Sequence, residues 1–150
     1  MKDNLILKLP YGKDFLFVDE ILEVNEQYIL GSYFFSKELN FYASHFKDQP
    51  VTPGVILTEC AAQIGLACFG IYLNSISTHL EENQFMVLSE SHMDYFSPVY
   101  PDERVYVKAN LVYFRFNKLK VEVEMKLANE QRVAKGTLSG MLAKTKEKNA

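Results

Sequence analysis

The stretch Gly54–Leu73 (GVILTECAAQIGLACFGIYL) constrains this chain more than any other. It is apolar on every face of a helix, so a helix built from it must be wrapped on most sides. Thr52-Pro53-Gly54 opens such a helix well. Thr52 offers a capping hydroxyl, and proline fits the first turn because its missing N–H has no helical partner there. The length would also suit a membrane span. Glu59 and Gln63 near its middle, and the lack of basic flanks, favour a buried helix instead. No membrane association is expected.

The remaining sequence supplies the wrapping. Phe15–Val24, Tyr28–Phe35, Phe85–Tyr95, Val105–Phe116, Leu119–Leu127 and Val133–Leu142 are β-branched or aromatic runs. Eleven Phe and nine Tyr, with no Trp, fit strands. Asn25–Gln27, Asn117-Lys118 and Asn129–Gln131 have the composition of hairpin turns. Gly31 inside a strand marks a bulge or a close approach. Lys37–Ser44 is ambiguous and could hold a short helix. Strands joined by such short turns must be antiparallel. The economical way to bury one apolar helix with such a sheet is to curl the sheet around it. The expected fold class is α+β: a hotdog fold, an antiparallel sheet wrapped around one long central helix. A single domain is expected over residues 1–143, with 144–150 a fraying charged tail.

Charge and cysteines narrow the setting. The formal net charge of −3 carries no basic footprint, so no nucleic-acid partner is expected. Cys60 and Cys68 are eight residues apart on one helix, about 12 Å, which is too far for a disulfide. The N-terminal MKDNLILKLPYGKDF lacks the pattern of a signal peptide. Together these features predict a cytoplasmic protein. His79 and His92 have no acid or thiol at ligand spacing, so no metal site is expected.

The polar residues at the helix are the candidates for chemistry. Glu59 and Gln63 lie one turn apart and share a face. A carboxylate among apolar neighbours is costly to desolvate, so it is either paired or lines a cavity. His45 lies just ahead of the helix, in a loop constrained by Pro50 and Pro53. Gly54 lets a ligand approach the helix N-terminus, where unpaired N–H groups face outward. Base, acid and carbonyl-polarising donor together suit proton abstraction next to a carbonyl.

These residues stand in a recognisable pattern. SHFKDQPVTPGVILTECAAQIG (Ser44–Gly65) resembles the active-site segment GHFPGxPVxPGVxxxEAxAQxG of the β-hydroxyacyl-acyl carrier protein dehydratases of fatty-acid synthesis, with the same fourteen-residue separation of His and acid. LPYGKDFLFVDEILEV (Leu9–Val24) and MDYFSPVYPDERV (Met93–Val105) resemble two further segments of that family, LPHRYPFLLVDRVLEV and RFRRPVxPGDxL, in the same order. The resemblance implies that His45 removes the α-proton and that Glu59 handles the departing β-hydroxyl. It implies that the Gly54 N–H binds the thioester carbonyl, that the Val51 carbonyl orients His45, and that Gln63 lies beside the acid. It further implies a homodimer whose sites draw His and acid from different subunits, a hydrophobic tunnel for the acyl chain, and substrates on acyl carrier protein or coenzyme A. It implies no metal or organic cofactor. Arg115, Lys118 and Lys120, with Lys13 and Lys47, are either solvated or a docking patch for an acidic carrier. Tyr11, Phe41, Tyr42 and Phe46 are expected to pack around the His45 loop.

The sequence departs from the family pattern at Tyr11, Gly12-Lys13-Asp14, Ser44, Lys47-Asp48 and Asp102. These changes leave the catalytic groups in place and reshape the mouth and the loop carrying His45, which favours a relative with a different acyl substrate, as in a polyketide-like, aryl-polyene or pigment pathway, over a housekeeping fatty-acid enzyme. Two other readings stay open: an acyl thioesterase on the same fold, and a non-catalytic partner subunit.

Overall fold

A computed structural model describes residues 2–77 and 84–146. His79 and the tail residues 147–150 lie outside the described residues. After a short helix α1 (Lys2–Leu5), the chain enters the hairpin β1 (Glu20–Val24) and β2 (Tyr28–Phe35). Asn25 makes the turn: its side-chain oxygen accepts from the N–H groups of Gln27 and Tyr28. Beyond the long helix α2 (Gly54–Ser75) come β3 (Gln84–Tyr95), β4 (Glu103–Arg115), β5 (Lys118–Leu127) and β6 (Arg132–Lys144). All pairings are antiparallel, and the sheet order is β1-β2-β4-β5-β6-β3. The β4-β5-β6 meander occupies the middle, and β3 lies at the far edge beside β6.

The sheet curls around α2 as the hydrophobic pattern requires. Alternate residues Val105, Val107 and Ala109 of β4 and Leu119, Val121 and Val123 of β5 are buried. The residues from Cys60 through Gly70 are buried on every side. Of the most apolar 18-residue window of α2, 67% is buried inside the fold. Gly65 sits where the helix crosses the sheet; a Cβ there would fall 2.9 Å from that of Ala109. Gly31 is the close approach anticipated, with Ile64 3.0 Å from where its Cβ would be. The bulge lies opposite, in β1 between Ile21 and Glu23.

Three local expectations are corrected. Phe15–Val18 is not strand: Lys13–Phe15 forms a 3-10 turn and β1 begins only at Glu20. The backbone of Phe15 and Phe17 bonds the side chain of Gln63 instead of a neighbouring strand. Thr52 does not cap α2. Pro53 occupies the cap position, and the Thr52 hydroxyl shares a hydrogen bond with that of Tyr42. The β4–β5 turn falls at Phe116-Asn117, both left-handed, one residue earlier than composition indicated. The ambiguous Lys37–Ser44 stretch contains a 3-10 turn at Asn40–Ala43.

Candidate active site

Glu59 projects from the second turn of α2, half-buried, into a small cavity of about 40 Å³. Gln63, one turn on, orients it. The Gln63 amide nitrogen donates to the Glu59 carboxylate at 3.0 Å and to the Phe15 carbonyl at 2.9 Å. The Gln63 oxygen accepts from the Phe17 N–H at 2.7 Å. A fully buried amide with no slack thus ties the acid to the segment ahead of β1. The helix is π-wound over Gln63–Cys68, directly after the acid.

Tyr11 is also here, contrary to the expectation that it would pack around the His45 loop. It lines the Glu59 cavity and tilts against Phe15. Burial, and secondarily the charges of Glu59 and Cys68, push its hydroxyl up to about 12. Sequence reading missed this placement; the signal was the position of Tyr11 four residues before Phe15, whose carbonyl Gln63 holds.

His45 sits in a closed loop. Its N–H donates to the Phe41 carbonyl, and its own carbonyl accepts from the Val51 N–H at 2.9 Å. In return its Nδ1 bonds the Val51 carbonyl at 2.8 Å. A carbonyl oxygen can only accept, so Nδ1 carries the hydrogen and the neutral ring keeps its lone pair on Nε2. The Phe46 ring stacks on the imidazole at 4.1 Å, and the His45–Phe46 peptide bond is cis. Phe41 and Tyr42 pack edge to face, and the Tyr42 hydroxyl reaches that of Thr52 in the loop. The Thr52 N–H donates to Val99, pinning the loop to the segment after β3.

Gly54 begins α2 beside an open groove of about 330 Å³ that Val51, Thr52, Leu57 and Tyr95–Pro98 also line. The Tyr95 ring passes 3.6 Å from where a Gly54 Cβ would be, and its hydroxyl bonds that of Thr58. Val51 and Gly54 therefore share one groove, while Glu59 opens into another cavity with no lining residue in common. No hydrogen bond or ion pair joins His45 and Glu59 among the described residues. His92 is exposed on β3 and lines neither space. Lys118 pairs with Glu90, and Arg115 lies over the Tyr113 ring. Cys60 and Cys68 are free, buried thiols, and burial raises both. Among the described residues no three His, Cys, Asp or Glu side chains gather as a metal site.

Comparison with known proteins agrees with this architecture. The FabA-like domain model matches residues 9–143. An "uncharacterized thioester dehydrase" of Halalkalibacterium halodurans is 31% identical over 136 residues, spanning 90% of this chain and 83% of that protein. The 3-hydroxyacyl-acyl-carrier-protein dehydratase FabZ of Nitratidesulfovibrio vulgaris is 32% identical over 128 residues, spanning 81% and 80%. Among solved structures, the dehydratase heterocomplex ApeI:P from Xenorhabdus doucetiae shares the fold with a TM-score of 0.73 at 12% identity, over 95% of this chain and 91% of that one. The smu.793 protein of Streptococcus mutans, bound to acetyl CoA, does so at 0.64 and 15%, over 93% and 99%. The chain therefore belongs to the FabA-like domain family, as a hotdog-fold enzyme of the dehydratase and thioesterase kind.

Proposed function

We propose that this protein dehydrates a β-hydroxyacyl thioester, carried on acyl carrier protein or coenzyme A, to the trans-2-enoyl thioester. The observation that carries the reading is the Nδ1–Val51 bond, which leaves the lone pair of His45 on Nε2 and ties the ring to a residue in the wall of the Gly54 groove. The thioester carbonyl accepts from the Gly54 N–H, so negative charge developing on its oxygen meets the positive end of α2. Nε2 takes the α-proton. The C–H electron pair forms the Cα–Cβ double bond, the β-hydroxyl leaves, and protonated Glu59 supplies the proton that makes it water. Gln63 keeps the acid aimed. No step draws on a metal or organic cofactor.

The reading includes a homodimer in which His45 of one subunit faces Glu59 of the other. Two features support it: the Glu59 cavity shares no lining residue with the Val51–Gly54 groove, and β3 is an exposed edge. That strand is a twelve-residue edge with Phe85, Val87 and Leu88 exposed at 38%, 45% and 42%. An edge so long and apolar needs a cover, and a second copy of β3 provides one. The two free thiols accord with a reducing cytoplasm.

The test is hydration of trans-2-enoyl thioesters of several lengths, the reverse reaction, followed by loss of enoyl absorbance. Wild type should consume the enoyl group, and His45→Ala and Glu59→Ala should each fall by about 10²-fold or more. Inert wild type sinks the dehydratase reading. Release of free thiol from acyl-coenzyme A would establish a thioesterase instead, and silence in both assays a non-catalytic partner.

A further inference from the structure

A third cavity, of about 190 Å³, opens beside β2 and shares no lining residue with either space of the candidate site. It adjoins the β1–β2 end of the sheet, while β3, the strand that a second copy would cover, is at the other end. Leu16, Phe17 and Leu39 give it an apolar wall. It is larger than the roughly 150 Å³ of an apolar cavity that takes a benzene ring.

Tyr33 completes that wall, and its hydroxyl is unspent. The residue is 8% exposed, with the Phe17 and Phe35 rings edge-on to it at 5.6 and 4.8 Å. Its hydroxyl bonds no protein group among the described residues, yet no enclosed polar side-chain atom there lacks a partner. The hydroxyl therefore meets open space, and Tyr33 lines this cavity. Burial, and then the charge of Asp19, push it up to about 12, so it stands there as a neutral O–H. The rim is also unspent. Lys13, Asp14 and Glu38 are exposed, and none joins an ion pair among the described residues. Two carboxylates against one lysine leave negative charge in excess, and the long lysine stem lets its head turn to water. With the Asn40 amide the cavity is rich in acceptors.

We propose that this cavity binds a small arylalkylammonium ion. The aromatic body lies against Leu16, Phe17 and Leu39, and the ammonium donates to the Tyr33 hydroxyl oxygen while facing Asp14 and Glu38. Such an ion brings three donors, no acceptor and the charge opposite to the rim. Phe17 joins this site to the rest of the molecule: its ring is in the wall, and its N–H is the group that Gln63 holds at 2.7 Å. The site is independent of the dehydratase reading.

The test is calorimetric binding of 2-phenylethylammonium to the full chain, with 2-phenylethanol and phenylacetate as the neutral and anionic counterparts. The ammonium should bind about tenfold tighter than either, or more. Tyr33→Phe removes an oxygen that bonds nothing in the fold, so it should leave the melting temperature in place and weaken the ammonium about tenfold. Asp14→Asn combined with Glu38→Gln, both on the surface, should weaken it about fivefold. Glu59→Gln should leave the affinity unchanged. No heat at millimolar ammonium overturns the proposal, as does equal binding of the alcohol or the anion. An affinity that Tyr33→Phe leaves intact overturns it too. One that Glu59→Gln abolishes does the same, by placing the ion at the candidate active site.

Discussion

The two halves of the candidate site are held by different means. On the acid side, one side chain does the holding: Gln63 spends both ends of its amide on Glu59, Phe15 and Phe17, and is itself fully buried. On the base side, backbone does it. The His45 and Val51 peptide groups bond each other, the Val51 carbonyl takes Nδ1, and the residue beside His45, Phe46, is 58% exposed. A helix in the core positions its carboxylate through buried polar contacts whose loss is expensive. A surface loop positions its imidazole through hydrogen bonds that no side-chain substitution removes. The acid side should therefore be fragile to mutation in stability, and the base side in activity alone.

The largest expected effect tests whether the halves meet across subunits. Equimolar His45→Ala and Glu59→Ala proteins, unfolded together and refolded, should recover about a quarter of wild-type activity. Half of the dimers would be mixed, and one of the two sites in each would be intact. Recovery no greater than the residual activities would place both groups of each site in one chain.

Next in size is Gln63→Ala. It strands the Phe17 N–H and the Phe15 carbonyl inside the fold, and should cost about 2–4 kcal/mol in urea denaturation. A loss below about 1 kcal/mol would show that the acid side is not held as described.

A smaller effect concerns Tyr11. Its hydroxyl rises from an ordinary 10.0 to about 12 in the fold. Folded Tyr11 thus keeps its proton over that interval while the unfolded chain loses it. The stabilisation is full below pH 10.0 and disappears as pH rises through about 12. Wild-type stability should fall more steeply than that of Tyr11→Phe across this window, and parallel curves would contradict the placement of Tyr11 in the Glu59 cavity.

The smallest stability change is expected from Phe46→Ala, within about 0.5 kcal/mol because the ring is exposed. Activity should nevertheless fall severalfold, since the imidazole loses the ring stacked on it. A large drop in melting temperature would make the loop a structural element and erase the contrast.

The fold was legible in the sequence because its constraint is crude. A helix apolar all round needs a wrapping, and six β-rich runs with turn residues between them can supply one kind. The site was legible in part: His45–Val51 and Glu59–Gln63 are local pairs, six and four residues apart, and the chain pattern carries them. What stayed hidden was long-range. Nothing local marks Phe15–Phe17 as the partner of Gln63, so that stretch reads as strand from its composition. Tyr11 reads as a companion of the other aromatics for the same reason. Met86 of β3 packs against Gly70 of α2 and Gly140 of β6 only because β3 lies beyond β6, an order that strand composition does not encode.

The Gln63 amide also bears on how the chain is made. Its partner Phe17 is 46 residues earlier in the sequence. On a ribosome the segment ahead of β1 emerges long before the residue that will hold it, and β1, β2 and the His45 loop intervene. Such a long-range closure is slow, because loop entropy is lost before any contact rewards it. The carboxylate of Glu59 therefore acquires its partner only once residue 63 has been made and folded back, and a nascent chain halted before that residue carries Glu59 without the amide that holds it.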